Sequence, residues 1–172
     1  MTKSINNVYI GLGSNLNKPV KQIEAALNTL AKLSACELIR HSSLYCSKPV
    51  GPQDQPDFVN AVALLRTTLS PQELLKALQL IESEQGRIKT RHWGERTIDL
   101  DILLFDNQAV NSSDLTVPHK EIGNRDFVLK PLLELDPELA LPNGTSLKSL
   151  LQSCPDNQLH LYPGHPYKGI ST

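Results

Sequence analysis

Much of what commonly identifies a protein is missing from these 172 residues. The cysteines, Cys36, Cys46 and Cys154, are odd in number and form no C-x-x-C, so neither a disulfide framework nor a zinc site is expected, and reduced thiols acting as buried filler are. No apolar run approaches the roughly 18 residues a bilayer span needs, and the opening MTKSINNVYIGLGSN has no secretory core. Neither charge dominates. Lys and Arg total 17 against 18 for Asp and Glu, which excludes a chain built chiefly to coat nucleic acid or anionic membrane. There is no G-x-x-x-x-G-K-[ST] phosphate loop, no internal repeat and no low-complexity tract. These absences predict one soluble cytoplasmic domain over residues 1–172, large enough for a continuous core.

What is present alternates between strand and helix patterns. Asn7 to Leu12 has strand period, with Gly11, Gly13, Ser14 and Asn15 expected to break it as a turn. A helix capped by Asn17, with Pro19 in its first turn, presents Val20, Ile23, Leu27 and Leu30 on one face. Glu37 to Ser47 and Phe58 to Arg66 read as strands separated by a stiff loop containing Pro49, Pro52 and Pro56. Ser70-Pro71-Gln72-Glu73 combines a capping box with proline at the first helical position; Leu74, Leu75, Leu78 and Ile81 form the stripe, and Gly86 ends it. A strand through Asp99 follows. The order β-α-β-β-α-β predicts an α+β, ferredoxin-like fold, an antiparallel sheet covered by helices. Beyond it, Leu115 to Pro118 suggests an edge strand, Asn124 to Lys130 a helix stopped by Pro131, and Ser146 to Leu151 a last helical turn or two. Residues 155–172, with little periodicity, read as an irregular tail.

The chemistry concentrates between Gly86 and Phe105, GRIKTRHWGERTIDLDILLF. Asp99 and Asp101 alternate with Ile98, Leu100 and Ile102, so both carboxylates leave one strand face while the aliphatic chains enter the core. Two neighbouring carboxylates stay ionised at neutral pH only beside a compensating cation, most naturally Mg²⁺. Arg87, Lys89, Arg91 and Arg96 supply positive charge for a polyphosphate, and Arg96 is the strongest candidate, three residues before Asp99. Val117-Pro118-His119 with Arg125 and Phe127 forms a second constellation. A third is the loop from Gln53 to Asn60, where Phe58 and Asn60, with Phe127 opposite, are suited to sandwich a flat heterocycle and read its edge. Gly11-Leu12-Gly13-Ser14-Asn15-Leu16 has a leucine at the third glycine position of a dinucleotide fingerprint, so a tight turn is favoured there.

GLGSNL at Gly11–Leu16, GPQDQPDFVNAV at Gly51–Val62, WGERTIDLDILLF at Trp93–Phe105 and VPH followed by RDFVLKPL occur in this order. Together they resemble the 6-hydroxymethyl-7,8-dihydropterin pyrophosphokinase family over about residues 7–142. The resemblance implies ATP as donor, two Mg²⁺ ions and transfer of pyrophosphate to the pterin hydroxymethyl oxygen, releasing AMP. It gives Asp99 and Asp101 the metals, and Arg87 and Arg96 the charge that develops on the phosphates. Gln79, Glu82, Thr116, His119 and Arg125 match the nucleotide site. Ser47, Pro49, Val50, Phe58, Asn60, Trp93 and Phe127 match the pterin site. Lys48, His92, Glu95, Asp114 and Lys120 depart from the commonest family pattern. A monomer without nucleic-acid or membrane partners is implied.

Two other readings compete. A metal-dependent phosphohydrolase or nuclease also uses paired aspartates, and would release nucleotide or phosphate without an acceptor. A ferredoxin-like module for single-stranded RNA would need sheet aromatics and a basic face, whereas three Phe, four Tyr and one Trp are scattered here through a nearly neutral chain.

Overall fold

The computed structural model describes residues 4–16, 18–49, 51–86 and 97–163. The main sheet is antiparallel at every pairing. β1 (Asn6–Ser14) lies between β5 (Asp99–Phe105) and β4 (Phe58–Thr67), and β4 pairs on its far side with β2 (Cys36–His41) and β3 (Tyr45–Ser47). Two short strands, β6 (Val110–Asn111) and β7 (Thr116–Val117), form a separate ribbon, and β8 (His160–Leu161) adds to the outer edge of β3.

The alternation of apolar residues along the central strands separates two layers. Val8, Ile10, Leu12, Ala61, Ala63, Leu65, Leu100 and Ile102 turn to one face, where α1 (Pro19–Ala31) and α2 (Pro71–Glu84) bury Ile23, Leu27, Leu30, Leu74, Leu78 and Ile81 against them. On the other face, Tyr9, Val62, Leu103 and Leu104 pack with Leu129, Leu132 and Leu135 of α3 (Asp126–Leu135) and with Leu147 of α4 (Leu147–Gln152). A bulge in β5 leaves Leu103 as an extra residue between the Leu104–Tyr9 and Ile102–Ile10 pairs.

Several elements differ from expectation. β1 runs on through Gly11 and Gly13 to Ser14 instead of turning at them, because both glycines keep their partners in β4 and β5. Asn17 lies outside the described residues; α1 is capped by Lys18 in a left-handed conformation (φ 62°) without a side-chain bond, and Pro19 begins the helix. The expected strand from Glu37 to Ser47 is interrupted at Ser42–Leu44, where the Ser42 hydroxyl accepts from the Val62 N–H (2.9 Å) while its own N–H donates to the Val62 carbonyl (2.8 Å). Pro131 does not stop α3. It sits inside the helix, buried, and apolar packing on both sides of it outweighs the one missing hydrogen bond. The supposedly irregular tail contributes β8. The capping box of α2 forms as read, with Glu73 N–H donating to Ser70 Oγ (3.1 Å) and Ser70 N–H to Glu73 Oε1 (2.8 Å), and Gly86 follows the helix at φ 78°.

The C-terminal end of α3 is fastened to the β2–β3 turn by Glu134, which accepts from Ser43 N–H (3.0 Å), Ser43 Oγ (2.8 Å) and the Tyr45 hydroxyl (2.6 Å). Burial, and then this carboxylate, push the Tyr45 phenol above its ordinary pKa.

Candidate active site

α3 covers only part of its sheet face, and the site lies where that cover ends. Asp101 stands opposite Gly11, and Asp99 opposite Gly13, which on its other side faces Asn60 of β4. Register therefore sets acid, glycine and amide in one row across three strands. With no side chains on Gly11 and Gly13, the floor is bare backbone. A Cβ at Gly11 would stand 3.3 Å from the Leu103 methyls, and one at Gly13 would stand 3.4 Å from Asn60 Oδ1 and 3.8 Å from Phe58 Cδ1. Over this floor opens a cavity of about 120 Å³, bordered by Ser47, Lys48, Phe58, Asn60, Asp99, Asp101, Leu103, Arg125 and Phe127 among others.

The walls are held by named bonds. Asn60, 4% exposed, donates from Nδ2 to Ser47 Oγ (2.8 Å), which fixes the amide with its oxygen toward Gly13. The Arg125 guanidinium stands 5.7 Å from the centre of the Phe127 ring. The proline loop is braced from beneath: Asn15, 2% exposed, donates to Gln55 Oε1 (3.0 Å) and to the Pro56 carbonyl (2.9 Å), and Gln55 donates to the Pro52 carbonyl (2.9 Å). Lys48 and Asp57 form an exposed ion pair at the rim (3.6 Å), a geometry of small energetic worth.

Of the residues assigned to the pterin, Ser47, Phe58, Asn60 and Phe127 border the cavity. Pro49 is buried behind it, and its carbonyl accepts from Gln53 Nε2 (2.8 Å), so that oxygen is already engaged. Of the described residues assigned to the nucleotide, only Arg125 reaches the cavity wall. Gln79 and Thr116 are exposed on α2 and β7. Glu82 is buried (6% exposed) and accepts from the Leu100 N–H (2.8 Å), pinning β5 between the two aspartates. His119 follows a cis Val117–Pro118 bond; its N–H donates to the Leu103 carbonyl (3.1 Å), and its Nδ1 accepts from the Glu121 N–H (3.1 Å), so in the neutral ring the proton sits on Nε2. Burial pushes this imidazole below its ordinary pKa, with the Asp101 charge opposing. Arg87, Arg96, Trp93 and Val50, as well as Lys89, Arg91, His92 and Glu95, lie outside the described residues.

Gly11, Gly13 and Asn15 are not read from the sequence as site residues. The signal was there for the glycines: Gly-Leu-Gly continues the period of Ile10 and Leu12, so both fall on the face of the strand opposite the core.

A sheet face that joins an acid pair to an aromatic-walled recess is that of a small-molecule-binding α/β protein. Comparison with known proteins makes this specific. The family model of 7,8-dihydro-6-hydroxymethylpterin-pyrophosphokinase (HPPK) matches residues 9–137, and the chain belongs to this family. It is 52% identical over 151 residues to the 2-amino-4-hydroxy-6-hydroxymethyldihydropteridine pyrophosphokinase of Haemophilus influenzae, covering 88% of this chain and 94% of the relative. To the protein of that name from Pseudomonas aeruginosa it is 51% identical, over 93% of this chain and 99% of the relative. Among solved structures it resembles wild-type Plasmodium falciparum HPPK-DHPS with pteroate, at a TM-score of 0.71 and 14% identity, a likeness of fold. That match covers 89% of this chain and 43% of the other. ATP is the co-substrate in this family.

Proposed function

We propose that this chain transfers pyrophosphate from ATP to the hydroxymethyl group of 6-hydroxymethyl-7,8-dihydropterin, yielding the pterin pyrophosphate and AMP in tetrahydrofolate biosynthesis. The hydroxymethyl oxygen attacks the β-phosphorus, the bond from that phosphorus to the oxygen it shares with the α-phosphorus breaks, and the hydroxyl proton is lost. The observation that carries this reading is the single cavity into which the carboxylates of Asp99 and Asp101 and the rings of Phe58 and Phe127 all open.

The donor set suits magnesium. Asp99 and Asp101 offer only carboxylate oxygens, and among the described residues no cluster of three or more His, Cys, Asp or Glu could enclose a metal. A hard cation that fills its shell with water and phosphate oxygens fits such a pair, and we assign two Mg²⁺ ions to it. When bound, Mg²⁺ neutralises the phosphate charge. The remaining work falls to side chains. Phe58 and Phe127 would stack on the flat pterin, with Asn60 reading its edge and Ser47, Pro49, Val50 and Trp93 closing the wall. Arg87, Arg96 and Arg125 would stabilise charge on the phosphates, and Gln79, Glu82, Thr116 and His119 would frame the nucleotide. The high exposure of Gln79 and Thr116 favours peripheral contacts for both.

With β2 and β3 counted as one interrupted strand, the sheet order supports a ferredoxin-like βαββαβ assignment. We further assign a single domain over residues 1–172, with a core of about 7–142, acting as a cytoplasmic monomer. Among the described residues no helix is long and apolar enough to cross a membrane.

The test is a coupled assay of AMP formation that omits ATP, pterin and Mg²⁺ in turn. Activity is expected only with all three. Nucleotide release without the pterin would instead support the phosphohydrolase reading.

A further inference from the structure

The two walls of the aromatic recess come from distant parts of the chain, and one residue bonds to both. Asn157 lies beyond the residues the family model covers. Its backbone N–H donates to Asp126 Oδ2 (2.9 Å) and its side-chain amide to Asp126 Oδ1 (3.0 Å), while its carbonyl accepts from the Lys48 N–H (3.1 Å). Asp126 is the first residue of α3, flanked by Arg125 and Phe127; Lys48 follows Ser47 at the end of β3. One residue thus spans from the helix that carries Phe127 to the strand that carries Ser47.

The attachment is stronger than chain closure requires. Asp126 is 7% exposed, and both its oxygens accept charge-assisted bonds from the same residue. Downstream, β8 pairs Leu161 with Tyr45 and His160 with Cys46, and the Tyr162 N–H donates to the Leu44 carbonyl (3.0 Å). β3 has only three residues, so its outer edge depends on this strap. The Glu134 contacts fasten the other end of α3, and the Asn157 bonds hold the Phe127 end.

We propose that Asn157 is a positioning residue that, by bridging Asp126 and Lys48, sets the gap between Phe127 and the Ser47 wall and so tunes affinity for the heterocycle far more than for ATP. This rests on the reaction proposed above. Stacking and edge hydrogen bonds are sensitive to displacements of a fraction of an ångström, whereas among the described residues assigned to the nucleotide only Arg125 adjoins Asp126, and Gln79, Glu82, Thr116 and His119 lie on other elements.

The experiment is a charge swap in the full chain. Asn157→Asp places carboxylate against carboxylate; it is expected to raise the pterin KM by about tenfold while the ATP KM stays within about twofold. Adding Asp126→Asn restores the pair with donor and acceptor exchanged, since the new amide oxygen accepts the backbone N–H and its NH₂ donates to the new carboxylate. Pterin KM should return to within about threefold of the parent. A loss that the swap does not rescue, an equal rise in both KM values, or no change in a folded Asn157→Asp variant would overturn the proposal. If that variant does not fold, Asn157→Ala, which keeps both backbone bonds, replaces it, with an expected rise in pterin KM of about threefold and no rise overturning the proposal. Failure of the parent protein to turn over the pterin would overturn the reaction reading itself, and this inference with it.

Discussion

The two faces of the sheet are built from the same three strands and end differently. Beneath α1 and α2, Val8, Ile10, Ala63, Leu65 and Ile98 are wholly excluded from water, and the packing is continuous. On the opposite face the apolar layer extends from Leu135 to Leu103 and then gives way to Asp99, Asp101, Gly11, Gly13 and Asn60. The site is therefore the part of a sheet face that lacks a helix. One face supplies stability to both, which leaves the other free to expose backbone and to hold like charges side by side, arrangements that a closed core does not tolerate.

The contrast breaks most sharply at Asp101. Asp101→Asn keeps shape and removes charge, so turnover should fall by about 10²–10³ with the thermal midpoint nearly unchanged, measured by AMP release and calorimetry. Leu78→Ala, at a fully buried position on the closed face, should give the converse: a stability loss of about 2–5 kcal/mol in urea titration with kinetic constants preserved wherever the chain is folded. Gly13→Val tests the bare floor. Its first carbon would meet ordinary contacts and its methyls would occupy the recess, so pterin KM should rise by about tenfold, with ATP KM little altered. The smallest effect is expected at Cys46. Burial, and then the Asp57 charge, push its thiol up, and the thiolate is the reactive form. Alkylation at pH 8 should therefore be about threefold or more slower than in urea, should accelerate as pH rises, and should quicken modestly in Asp57→Asn.

Legibility in the sequence followed the periodicity. The antiparallel sheet with helices at α1 and α2, the capping box at Ser70 and the opposite facing of Asp99 and Asp101 from Leu100 and Ile102 were all readable, because local pattern determines them, whereas the break at Ser42–Leu44 was not. The recess walls at Phe58, Asn60 and Phe127 were also nameable. Gly11 and Gly13 were read as a turn, since two glycines beside Ser and Asn carry the composition of one; only pairing on both sides keeps them extended. Pro131 looked like a helix stop until the burial of Leu132 and Leu135 outweighed it. Asn157 and β8 were illegible because their partners, Asp126 and Tyr45, lie far away along the chain. The bond from the Leu100 N–H to Glu82 was likewise illegible, a long-range fact with no sequence signature.

The bulge at Leu103 acts as a phase slip. Ahead of it, Asp99 and Asp101 face the recess; behind it, Leu104 stands opposite Tyr9 and Phe105 opposite Val8, which returns the Phe105 ring to the α1–α2 side at 1% exposure. Were Leu103 instead paired with Tyr9 in unbroken register, Leu104 would turn toward α1 and Phe105 toward α3. The extra residue thus uncouples the acid pair from the far end of its own strand, so either half is able to change by drift while the other keeps step.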